Sequence, residues 1–463
     1  MEPRESHCGG SRRQFLKTAT LVGAGLLGVH SQRPPVMAAR ARGRMRITDI
    51  ERHEYLIPLH EFNALDILRY HSAALQYRTL YIVKTDVGLE GYGESWGKGS
   101  SLDRCQKYLG TDPFDWIGDP ENLFMNMATY DLMGKYLNVP AWKLIGQQIR
   151  KWVPVAAWTV SRRPEAMAEE VTSVSHRGYR WLKYHVDVMQ NVIAQTEAMQ
   201  KVAPPGFKVH YDFNAHQNLE SVYPVLKELE RFPIAGRVED PISPKDREGY
   251  RILRQKCRLT ILGHHVPPDE FLLNHLVDGY MAGHAPIGAA ARLNAIAESV
   301  NTPMMLQQAG GQINQAFLAH EASVLKMASI DHVNLCHLWT DDITNERMEV
   351  VGGSVQVPAG PGLGLTLNRD KLTHYTKQKP RDVGRYIMRT RYESGLTVYF
   401  RHDPTQPGAV DNLRAWDPPY VPGPAPGYGH PVVTDFWDAE GDARFETLWK
   451  QTAEGPVWTQ RAR

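Results

Sequence analysis

A chain of 463 residues that is 42% hydrophobic carries enough apolar surface for one large core or two. Its formal charge of +2 is nearly balanced and no basic stripe is present, so nothing in the sequence points to a nucleic-acid partner. The chain has no GxxxxGK[ST] or strand-linked GxGxxG, which leaves NTPase and dinucleotide-dependent readings without a motif.

The first residues differ in kind from the rest. "SRRQFLK" (Ser11 to Lys17) is followed by "TATLVGAGLLGV" and then by small residues in "VMAARARG". Charged, apolar and small-residue regions in that order read as a twin-arginine signal over residues 1–41, with an apolar run too short to anchor in a bilayer. The destination expected is outside the cytoplasmic membrane, in the periplasm or otherwise exported by the twin-arginine route, with no membrane attachment once the signal is removed. The alternative is a chance Arg-Arg pair before a buried helix. Cys8 falls in the signal, and Cys105, Cys257 and Cys336 make neither a zinc motif nor an obvious disulfide framework.

Residues 45–150 read as a small α+β domain. "MRITDIERHEYLIPL" and "LYIVKTDVGLEGYGES" are strand patterns with Gly-rich turns, and helical patterns follow up to "ATYDLMGKYLNVPAWKLIG". From 151 to 345 the texture changes to short apolar runs, each followed by an amphipathic stretch, the mark of βα units. The runs are "VPVAAWTV", "WLKYHVDV", "KVHYDFN", "AGRVEDPI", "LTILGHH", "GYMAGHA", "TPMMLQQ" and "HVNLCHL", and eight of them suggest a closed barrel. Trp158, His185, Asp212, Glu239 and His264 sit near the ends of successive runs at intervals of 27, 27, 27 and 25 residues. In a parallel barrel such positions converge on one mouth, where catalysis occurs.

These stretches resemble the enolase superfamily, in particular its mandelate racemase/muconate lactonizing enzyme-like members and their acid-sugar dehydratase branch. The resemblance runs from about Met45 to about Asn368. It rests on "TDVGLEGYGES", "ATYDLMGKYLNVPAWKLIG", Lys183-Tyr184-His185, "YDFNAHQ", "VEDPI" and "VQVPAGPGLGLTL", in the family's order. It implies an α/β fold: a modified (β/α)7β TIM-type barrel with an α+β N-terminal capping domain. A segment over 346–371 would return to the cap, and residues 372–463 would be an extension. It also implies a small-molecule carboxylate substrate, one divalent metal (magnesium in the family), a homo-oligomer, and chemistry that starts by removing the proton α to the carboxylate.

Lys183 and His185, two apart on a strand, share a face, and the ammonium helps keep the imidazole neutral and fit to act as a base. Asp212 and Glu239 are hard oxygen ligands suited to a divalent cation. The family's third acidic ligand falls at His264. An imidazole there weakens the case for magnesium and favours manganese, iron or zinc. The alternative is that His264 points away and Asp212 and Glu239 are polar remnants; Asp269 or Glu270 is another donor for the same place, and His265 would face the opposite side or a loop. Gln307 stands where racemases carry a histidine, and glutamine cannot take a proton. A one-sided dehydration by His185, giving a 2-keto-3-deoxy acid, therefore leads. A barrel that has lost the chemistry and binds a ligand is the alternative, and a racemase using His284 as a second base comes third. Trp158, His284, Gln307, Gln308 and His337 are the expected substrate contacts, joined by the cap segment Pro58 to Gln76. Beyond Leu372 the expectation is a Pro/Gly-rich arm or tail with one short helix at "FETLWKQ".

Overall fold

The computed structural model describes residues 44–215, 217–401 and 432–460. The export signal expected over residues 1–41 and the Pro/Gly-rich stretch 416–431 lie outside the described residues. No helix among the described residues is long and apolar enough to cross a membrane, and Cys105, Cys257 and Cys336 are all free thiols.

The first domain is an antiparallel sheet of β1 (Ile47–Leu56), β2 (Tyr77–Thr85) and β3 (Glu90–Trp96), in that spatial order. Helix α1 (Glu61–Tyr70) is inserted between β1 and β2. Helix α2 (Leu123–Leu137) starts where the Asn122 side chain accepts the Met125 N–H, and it ends at Asn138 in the left-handed region, φ 58°. The helix lies on β3 so closely that a side chain at Gly91 or Gly93 would strike the Ala128 or Phe124 carbonyl, which accounts for the glycines of "GLEGYGES". A short helix, α3 (Trp142–Ile145), leads to the barrel.

The barrel strands are β4 (Trp152–Val160), β5 (Trp181–His185), β6 (Lys208–Asp212), β7 (Ala235–Glu239), β8 (Thr260–Gly263), β9 (Gly279–Gly283), β10 (Met304–Gln307) and β11 (His332–Val333). Seven helices alternate with them: α4 (Pro164–His176), α5 (Val192–Val202), α6 (Leu219–Leu229), α7 (Arg247–Lys256), α8 (Pro268–Leu273), α9 (Ile287–Ser299) and α10 (Gln312–Val324). All the strand pairings are parallel, and β11 pairs back onto β4, so the ring closes as (β/α)7β. Each apolar run in the sequence contains its strand, except that β4 starts one residue earlier, at Trp152; most overshoot it by a few residues, because the polar strand-end residues belong to loops. Alternation divides each strand between two environments. Tyr184 turns outward and its hydroxyl donates to Gln195 on α5 at 3.0 Å, whereas Lys183 and His185 turn inward.

After β11, a hairpin of β12 (Val350–Val351) and β13 (Ser354–Gln356) pairs antiparallel with the start of β4. The chain then reaches α2, where the Leu363 N–H donates to Asp131 at 2.9 Å. Helix α11 (Arg369–Tyr375) follows, and beyond it the structure differs from the sequence expectation. Helix α12 (Ala443–Gln451) contains the expected "FETLWKQ", but it packs on a four-stranded antiparallel sheet of β14 (Ile387–Tyr392), β15 (Leu396–Phe400), β16 (Val432–Trp437) and β17 (Val457–Gln460), ordered β16-β14-β15-β17. Ile387, Tyr399, Phe445 and Leu448 form its core. The strands are short and β14 is interrupted by Arg389 and Arg391, which hides their alternation beside so much proline and glycine.

A buried charge network joins cap to barrel. Arg78 of β2, wholly enclosed, pairs with Glu94 of β3 and with Asp342 at 2.8 Å. The Tyr55 hydroxyl donates to Glu94 at 2.7 Å, and the Gly311 and Asn314 N–H groups at the start of α10 donate to the other Glu94 oxygen at 2.9 and 3.2 Å. The guanidinium lies 4.8 Å from the Trp339 ring centre. Every oxygen of Glu94 is thereby satisfied without water.

Candidate active site

Register puts His185, Asp212 and Glu239 side by side at the C-terminal ends of β5, β6 and β7. Above them is a cavity of about 400 Å³ walled by Trp158, His185, Asp212, His264, His284 and Gln307, and roofed by His71, Leu75 and Trp96 of the first domain. Its floor is ionic. The Lys183 ammonium, fully enclosed, lies 3.0 Å from Asp212 and 2.9 Å from Glu239, and donates to Gln307 Oε1 at 2.6 Å. Burial opposes its charge, but the two carboxylates hold its pKa above the ordinary lysine value. Burial alone would likewise raise Glu239, yet Lys183, His210 and His264 together keep it well below the usual carboxylate range.

His185 has its Nε2 3.5 Å from Asp212 Oδ2. Its ring stands edge-on to Trp158, with centres 5.3 Å apart, and His71 of the cap closes the other side at 6.1 Å. His264 directs Nδ1 to Glu239 at 3.0 Å. His284, with φ 50°, opens onto the cavity; the protein mass around it and the neighbouring His264, Lys183 and His265 lower its basicity. Asn214, Ala215 and Asp240 also take positive φ at these strand ends, so the mouth concentrates left-handed backbone.

Two expected contacts are corrected. Gln308, one residue beyond the end of β10, points away from the cavity: its amide donates to Glu321 of α10 at 2.5 Å. Burial pushes that carboxyl up to about 8. His337 lines a separate cavity of about 420 Å³ with Arg177 and Arg347, and its Nε2 lies 2.9 Å from the Trp158 carbonyl. Trp158, His284 and Gln307 do line the mouth. Glu270 pairs with Arg247 and is not turned toward His264, while Asp269 sits in the first turn of α8.

Three participants were missed or misplaced by sequence reasoning. His265, expected on the far side or in a loop, lies in the loop after β8 and lines the cavity, because Asp240 clamps the turn: its carboxylate accepts the N–H groups of His264 and His265 at 2.8 and 2.9 Å and the His265 ring at 2.8 Å. That hydrogen bond raises the His265 pKa against the effect of burial. His210, 2.9 Å from Glu239, sits two positions before Asp212, and the alternation that paired Lys183 with His185 would have found it. Asp240 itself was legible only as part of "VEDPI".

As to a metal, Asp212 and Glu239 aim at one point, where the Lys183 ammonium now stands, and His264 adds a nitrogen beside Glu239. Two carboxylates and an imidazole are a fitting donor set for a divalent cation. The three are not, however, drawn into one tight cluster. Among the described residues, the group whose ligand atoms all lie within 4.8 Å of one another is Asp240, His264 and His265. Both Asp240 oxygens are already taken by backbone N–H groups.

A capped (β/α)7β barrel with its charges gathered at the C-terminal strand ends is an enzyme architecture. Residues 166–371 match the family described as enolase C-terminal domain-like. The chain is 26% identical over 345 residues to D-xylonate dehydratase of Haloferax volcanii, covering 62% of this chain and 82% of that protein. It is 29% identical over 265 residues to muconate cycloisomerase 1-2 of Acinetobacter lwoffii, covering 53% and 67%. The solved structure of N-succinyl Arg/Lys racemase from Bacillus cereus superposes with a TM-score of 0.59 at 21% identity, covering 72% of this chain and 98% of that one. Over residues 166–371 the chain is thus similar to the enolase superfamily, and its relatives are mandelate racemase/muconate lactonizing enzyme-like proteins.

Proposed function

We propose that the protein is a lyase that removes the proton α to a carboxylate and expels the β-hydroxyl, dehydrating a sugar acid or similar hydroxy acid to a 2-keto-3-deoxy acid. The observation that carries this reading is the pairing of Lys183 and His185 on one inward face of β5, directly beside Asp212 and Glu239. The relatives with dehydratase names favour the same class.

His185 takes the α-proton, breaking C–H. The edge-on Trp158 and His71 rings hold its plane, and Asp212 stabilises the imidazolium that forms. That imidazolium faces the same side of the substrate, where it can protonate the departing β-hydroxyl as C–O breaks and water leaves. The enol left behind becomes the keto acid. Lys183 provides a fixed positive charge beneath the developing negative charge. A divalent ion held by Asp212, Glu239 and His264 would supply further neutralisation of the substrate carboxylate; the imidazole favours manganese, iron or zinc over magnesium. Racemisation fits less well, because Gln307 cannot exchange a proton and the basicity of His284 is reduced. We further propose export to the periplasm by the sequence in residues 1–41, and assembly as a homo-oligomer.

The test is metal content and turnover together. Protein expressed with manganese, zinc, iron or magnesium should hold about one ion per chain, lost on His264→Ala. Presented with a set of sugar acids, it should release a 2-keto-3-deoxy product, and His185→Asn should not. A second reading is favoured by the Lys183 ammonium, which already neutralises the two carboxylates: the barrel binds a ligand without chemistry. Absence of metal and of product under every condition would establish that reading in place of the first.

A further inference from the structure

The residues at the entrance are tied to a part of the chain that the barrel itself does not need. Tyr70, at the end of α1, is one residue before His71 in the cavity roof. Gln190 lies in the loop that follows His185. Thr434 is on β16 of the C-terminal sheet. All three are buried. The Gln190 amide donates to the Tyr70 hydroxyl at 2.6 Å and to the Thr434 carbonyl at 2.8 Å. The Thr434 hydroxyl donates to the Met189 carbonyl at 2.7 Å and lies 2.8 Å from the Thr390 hydroxyl on β14. Asp187 completes the turn, accepting the Met189 and Gln190 N–H groups at 2.9 and 3.1 Å.

Around this polar knot the contact is aromatic and cationic. Phe436 stands edge-on to Tyr70 with ring centres 4.4 Å apart, and Arg69 lies over Tyr386 at 4.8 Å. Arg69 also donates to the Val383 carbonyl at 2.9 Å and pairs with Asp438 at 3.0 Å, while the Tyr386 hydroxyl donates back to the Arg69 carbonyl at 3.2 Å. Buried hydrogen bonds of this kind hold one geometry, since breaking any of them strands a polar group away from water.

We propose that the C-terminal sheet is a positioning element of the active site: through the Tyr70–Gln190–Thr434 knot it fixes both the cap segment that carries His71 and the loop that follows His185. Gln190 and Thr434 are positioning residues, and His71 is the specificity-determining residue they present to the cavity. The inference rests on reading the cavity as the substrate site, but its test needs no substrate, so the two can fail separately.

The test is amide hydrogen exchange of the full chain with Gln190→Leu, which removes the amide bonds to the Tyr70 hydroxyl and the Thr434 carbonyl, beside Thr434→Val, which removes only the hydroxyl bonds to Met189 and Thr390. Exchange should quicken roughly tenfold in residues 61–76 and 186–191 with Gln190→Leu, and in 186–191 alone with Thr434→Val, returning to the original rate in Thr434→Ser; α10 should stay unchanged throughout. Quickening confined to the C-terminal sheet itself would overturn the proposal and make that sheet an appendage. Should Gln190→Leu fail to fold, Tyr386→Phe removes the bond to the Arg69 carbonyl and should quicken residues 61–76 alone; unchanged exchange there would count equally against the proposal.

Discussion

Two buried charge networks in this molecule have nearly the same arithmetic. At the cap–barrel seam one guanidinium, Arg78, lies between Glu94 and Asp342. At the barrel mouth one ammonium, Lys183, lies between Asp212 and Glu239. They differ in what surrounds them. The seam network is closed by Tyr55 and by the backbone N–H groups at the start of α10. The mouth network is ringed by histidines and opens onto a cavity through His185, His264 and Asp212. Closed charges can only hold the structure together, whereas charges with an open side can act on a guest.

The comparison predicts different losses. The largest is at the mouth: His185→Asn and Lys183→Met should each lower turnover of a responsive sugar acid by about 10²–10⁴-fold, read by product release, with a modest change in the unfolding midpoint for His185→Asn and a clear loss of stability for Lys183→Met, which leaves Asp212 and Glu239 buried without their partner. At the seam, Arg78→Met should cost about 3–5 kcal/mol in denaturant unfolding, because two carboxylates lose their buried partner. If it instead abolished activity without changing stability, the seam would not be merely structural. A smaller effect is expected at His264, where alanine should weaken metal affinity by at least about 10- to 100-fold while folding persists, read by titration with the metal alone. The last effect is a slope rather than a step and concerns Glu321, which belongs to neither network. The folded protein keeps its proton up to about pH 8, while an unfolded chain releases it near 4.5. Between those values the folded state binds more protons, so stability falls as pH rises, by about 1.4 kcal/mol per pH unit. Glu321→Gln should remove that slope from a series of thermal or urea melts.

Much of this was readable from the sequence because a βα unit repeats its own length. The 27-residue spacing of Trp158, His185, Asp212 and Glu239 located the mouth before any coordinate did. Alternation within β5 predicted that Lys183 and His185 face one way, and they do. What the sequence concealed depends on departures from that alternation. Gln308 is the exception, since alternation itself turns it away from the cavity one residue after Gln307. His265 comes round to the cavity because Asp240 takes φ 43° and clamps the following turn, which no periodicity encodes. The C-terminal sheet was missed because β14 and β15 alternate over too few residues, with arginines breaking the apolar pattern of β14, to stand out beside a Pro/Gly-rich neighbour.

The knot at Thr434 also bears on the order in which the molecule is made. Tyr70 contacts a residue 364 positions later in the chain. Synthesis proceeds from the N-terminus, and contacts of such high sequence separation close late. The barrel can form once β11 has emerged, well before β16 exists. The entrance is therefore the last part of the molecule to be finished, and a chain released short of residue 432 would have a complete barrel with an incomplete doorway.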